Sequence, residues 1–279
     1  MNQLNEMQSM MLDMLKWFHQ FCEKNNITYY VVGGTMLGAA RHHGFIPWDD
    51  DIDVGIPRMD YNKLIENKNT FFTSEERYIL ESYEDCNEDY EYPYAKIYDT
   101  YTTLVENNRH HTRRGIFIDV FPLDGIGSSK DDAIKNYSPI QNRINFLMTK
   151  TCELRKSRKL FKNIAIIAAR LIPNFLVSSH SLIAKINEIC SARDFDTSDY
   201  VGNLVGNWGL KEIMPRAYFG QPALYQFEDT QVYGPEDYDN YLKNVYNQWK
   251  LLPPIEKQKS QHDFLCLDFH RSYLGNKSL

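Results

Sequence analysis

The five cysteines of this 279-residue chain (Cys22, Cys86, Cys152, Cys190 and Cys266) stand at least 38 positions apart, with no Cys-x-x-Cys pair among them. Their odd number and wide spacing argue against both a disulfide framework and a zinc knuckle, and predict a reducing, cytoplasmic setting. Long apolar runs are missing as well. No window approaches the roughly 18 apolar residues that a membrane span requires. The amino terminus, MNQLNEMQSMMLDMLKWF, lacks a basic leader and is polar throughout, which is unlike a signal peptide. Positive charge is in deficit, with 31 Lys and Arg against 37 Asp and Glu and a formal net charge of −6. Duplex nucleic acid selects a basic face, so nucleic acid is not an expected partner. Neither a Walker A loop nor a Gly-x-Gly-x-x-Gly turn occurs, which removes P-loop and dinucleotide chemistry.

What is present is an ordinary globular composition, 43% hydrophobic and 24% charged. Aromatics are abundant at 14%, including 19 Tyr, enough for a packed core and for a pocket that receives a cation. Leu4, Met7, Met11, Met14, Leu15, Phe18 and Phe21 recur at steps of about three or four and predict an amphipathic helix, stopped by Asn25-Asn26. Residues 27–32 form a β-branched and aromatic run that ends in Gly33-Gly34, and 35–41 read as a short helix. Strands are expected at 51–54, 78–83, 94–98, 102–105 and 115–121, and helices at 133–158, 160–171, 181–193 and 238–249. The pattern predicts an α/β (α+β) protein. A catalytic core over 1–128 carries a mixed sheet with flanking helices, and a mostly helical region over 129–279 packs on it.

The densest polar feature is Pro47-Trp48-Asp49-Asp50-Asp51-Ile52-Asp53-Val54. Four carboxylates so close repel one another unless a positive charge sits among them. On a strand, Asp51 and Asp53 share one face about 7 Å apart while Ile52 and Val54 turn to the core. Paired carboxylates of this kind suit a hard divalent cation, which takes one or two of them together with phosphate oxygens. A calcium loop is the competing reading, with Asp49, Asp51, Asp53 and Asp60 at its positions 1, 3, 5 and 12. Val54, where that loop needs glycine, counts against it. Gly33-Gly34-Thr35, at a strand-to-helix junction, offers backbone N–H groups and a hydroxyl to an anion. Asp119 is a lone acid in the apolar strand GIFIDVF, placed there either to pair with Arg113 or Arg114 or to complete a metal site.

Glycine turn, paired carboxylates and a later strand carboxylate together are similar to the nucleotidyltransferase superfamily. The stretch VVGGTMLGAARHHGFIPWDDDIDVGIPRMDY (31–61) resembles the LicD family more closely, as do YAKIYDTYTTL (94–104), GIFIDVFPLDG (115–125) and NQWKLLPPIEKQKSQHD (247–263). One departure is Gln261, where relatives carry a second His beside the one at His262. The resemblance implies metal-dependent transfer of phosphocholine, or a related alcohol phosphate, from CDP-choline or a similar CDP-alcohol. The acceptor would be a cell-surface glycan precursor of teichoic acid or lipopolysaccharide, and CMP would leave. It assigns Mg²⁺, with Mn²⁺ as its substitute, to Asp51, Asp53 and Asp119, and lets Asp119 take the acceptor proton. Gly33, Gly34 and Thr35 would hold the nucleotide phosphate, with Arg41 and Lys96 as supporting cations and His42 as a hydrogen-bonding candidate. Trp48 and the tyrosines at 90, 92, 94, 98 and 101 are available to a choline head group. Two alternatives stay open: a nucleotidyltransferase that releases pyrophosphate, and a calcium-binding interaction module. Residues 150–172 combine seven basic residues and one acid with the apolar run at 164–169 and predict peripheral contact with the inner face of the cell membrane.

Overall fold

The computed structural model describes all of the chain except residues 1–2, 74–76, 86–88, 153, 155–159, 174–175, 261, 263 and 276–279. Helix α1 (Gln3–Asn25) ends where Asn26 turns to a left-handed φ of 50°. Its stripe of Met7, Met11, Met14, Leu15 and Phe18 is buried against the sheet, as its spacing requires. Strand β1 (Tyr30–Val31) leads into α2 (Gly33–His42), and β2 (Asp53–Pro57) into α3 (Arg58–Glu66) and α4 (Lys68–Phe71). There follow β3 (Tyr78–Glu81), β4 (Ala95–Asp99), β5 (Thr103–Glu106), β6 (Arg113–Arg114) and β7 (Phe117–Gly127). The second half contains α5 (Lys130–Thr151), α6 (Leu160–Arg170), α7 (Ser179–Cys190), β8 (Tyr200–Gly202) and β9 (Ile213–Pro215). It closes with β10 (Ala223–Phe227), β11 (Thr230–Gly234), α8 (Tyr238–Tyr246) and β12 (Phe264–Asp268).

The main sheet is mixed, in the order β1-β2-β7-β4-β3, with β8 on the far half of β7 and β9 beyond it. Only β2 and β7 run parallel. Strand β7 is buried along nearly its whole length because α1 packs on it from one element and α5 and α7 from others. Strands β12, β5 and β6 form a second sheet, and β10–β11 a hairpin.

Several boundaries differ from the sequence pattern. Strand β2 begins at Asp53 rather than at 51, although Ile52 still accepts from the Asp119 N–H at 2.9 Å. Strand β7 runs on through Pro122 and Asp124, residues that in sequence read as a strand end. Asp124 is tolerated there because Arg58 meets both its oxygens, Nε at 2.7 Å and Nη2 at 2.8 Å. Helix α5 stops at Thr151, and most of 153–159, expected to continue it, lies outside the described residues. Helix α8 ends at Tyr246 because Asn247 adopts a φ of 60°. The second half also contributes strands β8–β12, in a region whose sequence pattern predicted helices. The four described cysteines are free.

Arg58 and Asp124 are both buried, so removing one leaves the other as an uncompensated internal charge. Arg58→Met should cost about 3–5 kcal/mol. Arg58→Met/Asp124→Leu should recover most of that loss in a urea melt; a double variant no better than the single one would show that the pair is not the cause.

Candidate active site

The parallel pairing of β2 with β7 places Asp53 in register with Asp119, and the antiparallel pairing of β4 places Lys96 opposite Asp119. Three adjacent strands thus present two carboxylates and an ammonium at one level. Ile52 and Val54 are fully buried while Asp51 and Asp53 are half-buried, so the pair shares the face that the alternation predicted. Lys96 Nζ lies 3.0 Å from Asp119 Oδ1 and 3.6 Å from Glu106. Its ammonium stands 3.5 Å from the Phe117 ring centre and 4.3 Å from that of Tyr92. The contact with Asp119 is ionic: Oδ1 is buried and accepts no well-aligned hydrogen bond.

Helix α2 begins at the glycine pair with no side-chain cap. Gly33 has a φ of 54°, and a Cβ there would come within 2.8 Å of Asp53 Oδ2. A Cβ on Gly34 would meet Asp49 Oδ2 at 2.9 Å. The absence of side chains at 33 and 34 therefore lets the acidic loop approach the start of α2. Tyr241, on α8, accepts from the Gly33 N–H at 2.9 Å, and Thr35 Oγ1 accepts from the Asp53 N–H at 2.8 Å. Thr35 thereby fixes the strand residue that carries the carboxylate.

The electrostatics are those of crowded acids. Burial, then the Asp51 and Asp50 charges, push Asp49 up to about 8. Burial lifts Asp51 to about 6 even though His262 pulls the other way. Asp53 rises well above the usual carboxylate range through burial and the Asp51 and Asp119 charges, and burial raises Asp119 despite Lys96. Asp50 goes the opposite way: against the cost of burial, a 2.9 Å contact with His262 Nδ1 holds it below its ordinary value. Ser260 Oγ also donates to Asp50. His262 is in turn lifted to about 9, against burial, by Asp50 and Asp51. An all-oxygen set with this much unrelieved repulsion fits a hard divalent cation such as Mg²⁺.

Among the described residues, the three potential ligand atoms that lie within 4.8 Å of one another belong to Asp50, Asp51 and His262. The expected set of Asp51, Asp53 and Asp119 faces one another across the strand pair without being drawn to that spacing. Lys96 joins it. Arg41 stands within reach of the Asp49 charge, while its Nη1 donates to the carbonyls of Trp249 and Leu251, at 2.9 and 3.3 Å, and its Nε to His42. Trp48 packs edge-on to His42. These three tie the end of α2 to the segment after α8. Asp60, in the calcium-loop reading, sits on α3 and accepts from the Thr28 N–H.

Beside Asp119 and Lys96 opens a cavity of about 400 Å³, lined by Tyr92, Tyr94, Phe117 and Phe264, the acids Glu91 and Glu106, His262, and residues of α5. Tyr90 and Tyr98 are buried and Tyr101 is exposed, so of the expected tyrosines only Tyr92 and Tyr94 reach it. The pattern gave no role to Glu106 or Asp50 and left His262 without one. Their importance arises from contacts between segments about 10 to 212 residues apart in the chain, and only the clustering of acids hinted at a partner for Asp50.

A family model described as the LicD/FKTN/FKRP nucleotidyltransferase domain matches residues 26–146. The lipopolysaccharide cholinephosphotransferase LicD of Haemophilus influenzae is 30% identical over 264 residues, covering 93% of this chain and 96% of that protein. The chain belongs to the LicD family. It is a phosphotransferase of that family. The ribitol 5-phosphate transferase FKRP of Homo sapiens is 53% identical over 34 residues, 12% of this chain and 7% of that one. A Rickettsia prowazekii protein of no stated function is 51% identical over 47 residues, 17% of this chain and 18% of its own.

Carboxyls whose folded pKa is raised contribute stability at low pH that is lost as pH rises through the folded value, and His262, raised from 6.5, acts in the same direction. The thermal midpoint of EDTA-treated protein should therefore fall between pH 5 and about 9. Mg²⁺ should restore it at the alkaline end, and Asp53→Asn should flatten the slope. A midpoint that rises with pH over this range would contradict the crowded-acid description.

Proposed function

We propose that this protein transfers phosphocholine from CDP-choline to a hydroxyl of a cell-surface glycan precursor, of lipopolysaccharide or teichoic acid, and releases CMP. The observation that carries this reading is the cavity itself. Its aromatic and acidic lining already holds one ammonium, that of Lys96 over Phe117 and Tyr92. The rings of Tyr94 and Phe264, with Glu91, suit a second, quaternary one beside the strand carboxylates where a diphosphate would lie. The name of the Haemophilus relative supports the same head group. The ribitol head group, which the name of the FKRP relatives suggests, carries no charge and would leave Glu106 to Lys96 and Glu91 to His110.

Asp51 and Asp53, with Asp119 across from them, would hold Mg²⁺, which when bound neutralises the diphosphate charge. The remaining work falls to the chain. Lys96 offers a fixed positive charge to the phosphate oxygens, and beyond the Gly33 N–H, which Tyr241 takes, the Gly34 and Thr35 N–H groups at the start of α2 would face the nucleotide side. The acceptor oxygen attacks the choline-bearing phosphorus, the bond to the bridging oxygen breaks, and its electron pair leaves with CMP. Asp119, raised by burial, takes the acceptor proton.

The test is CMP release with CDP-choline, CDP-ribitol and CDP-glycerol in Mg²⁺. CDP-choline should turn over fastest, and Asp53→Ala should lose about 100-fold or more while still melting cooperatively. Pyrophosphate from a nucleoside triphosphate, with no CMP from any of the three donors, would replace this reading with the nucleotidyltransferase one. Glu106→Gln should raise KM for CDP-choline about tenfold with little effect on CDP-glycerol, since two opposite charges about 4 Å apart in a partly buried site attract by roughly 1–4 kcal/mol. Equal effects on both donors would remove Glu106 from the head-group site.

A further inference from the structure

Helix α6 carries its apolar residues on the wrong side for a core. Ile166 and Ala169 turn inward, where α6 packs on α5. Leu160, Phe161, Ile164, Ile167 and Leu171 face outward at steps that keep them on one side of the helix, and are 48–76% exposed. Leu176, just beyond, is 65% exposed. An apolar face of this size is not left to water without a partner. The helix is held in place: Arg170 Nη2 donates to the Cys152 carbonyl at 2.8 Å, and the buried Lys150 ammonium donates to the carbonyls of Ile172 and Val177.

We propose that the outer face of α6 docks on an anionic lipid bilayer and lies in the plane of the head groups. Three observations select this occupant. With 11 residues, α6 is about 16 Å long, too short to cross a bilayer of about 30 Å but suited to the interface. In sequence, 150–170 carries seven basic residues and one acid. With Lys150 buried and Arg170 turned to the Cys152 carbonyl, the charge next to α6 comes from the exposed Lys162 and from the basic residues at 155, 156, 158 and 159, which precede the helix and lie outside the described residues. That charge complements anionic head groups, and it opposes a symmetric contact with a second copy, which would bring like charge against like. Third, α5, on which α6 rests, lines the cavity with Leu147, Met148 and Thr151, and Met148 is itself 53% exposed. Docking at α6 thus brings the cavity to the bilayer surface, where an acceptor carried on lipid would be presented. That benefit rests on the function proposed above; the docking does not.

Co-sedimentation with vesicles tests it, using phosphatidylcholine alone and phosphatidylcholine with about 30 mol % phosphatidylglycerol. The full chain should bind the anionic vesicles about tenfold more tightly, with the preference reduced by high salt. Phe161→Glu/Ile164→Glu, both at exposed positions, should lose about tenfold in binding while keeping its melting temperature and its CMP release from soluble CDP-choline. Equal binding to neutral vesicles, or full binding by the double variant, would overturn the proposal. So would absent vesicle binding with self-association that the variant abolishes, which would make the face a contact between copies. Vesicle binding by a protein that releases no CMP would leave the docking standing and remove the proposed reaction.

Discussion

The parallel register of β2 against β7 is the constraint on which the site depends. Setting Asp53 level with Asp119 puts two acids on adjacent strands, and the loop before β2 brings Asp49 and Asp51 to the same place. Nothing about folding rewards this arrangement. Like charges close together in a partly dry setting cost free energy in proportion to their burial, and the upward shift of four carboxyls is the expression of that cost. The rest of the structure overrides it. A sheet buried on both faces fixes the backbone, Thr35 holds the Asp53 amide, and the bare glycine pair leaves room for the carboxylates. A fold that spends stability at one point while packing the remainder tightly is the pattern expected where chemistry is done.

Elements distant in sequence complete what the first half begins. Tyr241 of α8 reaches the amide that opens α2, and His262 arrives next to β12 to hold Asp50. Asp50 is thereby the one acid of the run whose charge is stabilised by protein alone. His262 stacks on Phe264 and meets Phe117 edge-on, so its ring is oriented by apolar contacts while its nitrogens face Asp50 and Asp51. A neutral or mispositioned ring there would add Asp50 to the repelling set.

The legible parts of the site were those encoded by local chemistry. Alternation over 51–54 separates the carboxylates from Ile52 and Val54 in the structure as in the pattern, and a lone acid within GIFIDVF signals its own cost. The Met stripe of α1 was readable for the same reason. What local pattern does not contain is pairing partners. Strands β8 and β9 are three residues each, and β8 and β12 pair with strands of the first half, which a local period does not show. Arg41 shows the same limit from the other side: a basic residue after a glycine turn suits phosphate, but the carbonyls of Trp249 and Leu251 already hold it. Asp124 lies past 121, where the pattern ends the strand, and its charge is met within β7 by Arg58 of α3.

The charge balance of the cavity links the site to its proposed substrate. Lys96 is the cation between Asp119 and Glu106, and it occupies the aromatic faces of Phe117 and Tyr92. The lining carries both signs of charge: Lys96 and the raised His262 face Asp119 and Glu106, while His110 and Arg109 act on Glu91. A zwitterionic donor would match both signs, its diphosphate meeting Lys96 while its quaternary ammonium faces the acids. The proposed donor thus matches both charges that the lining presents, and the carboxylates that repel one another across β2 and β7 would become a source of affinity once a positive partner stands among them.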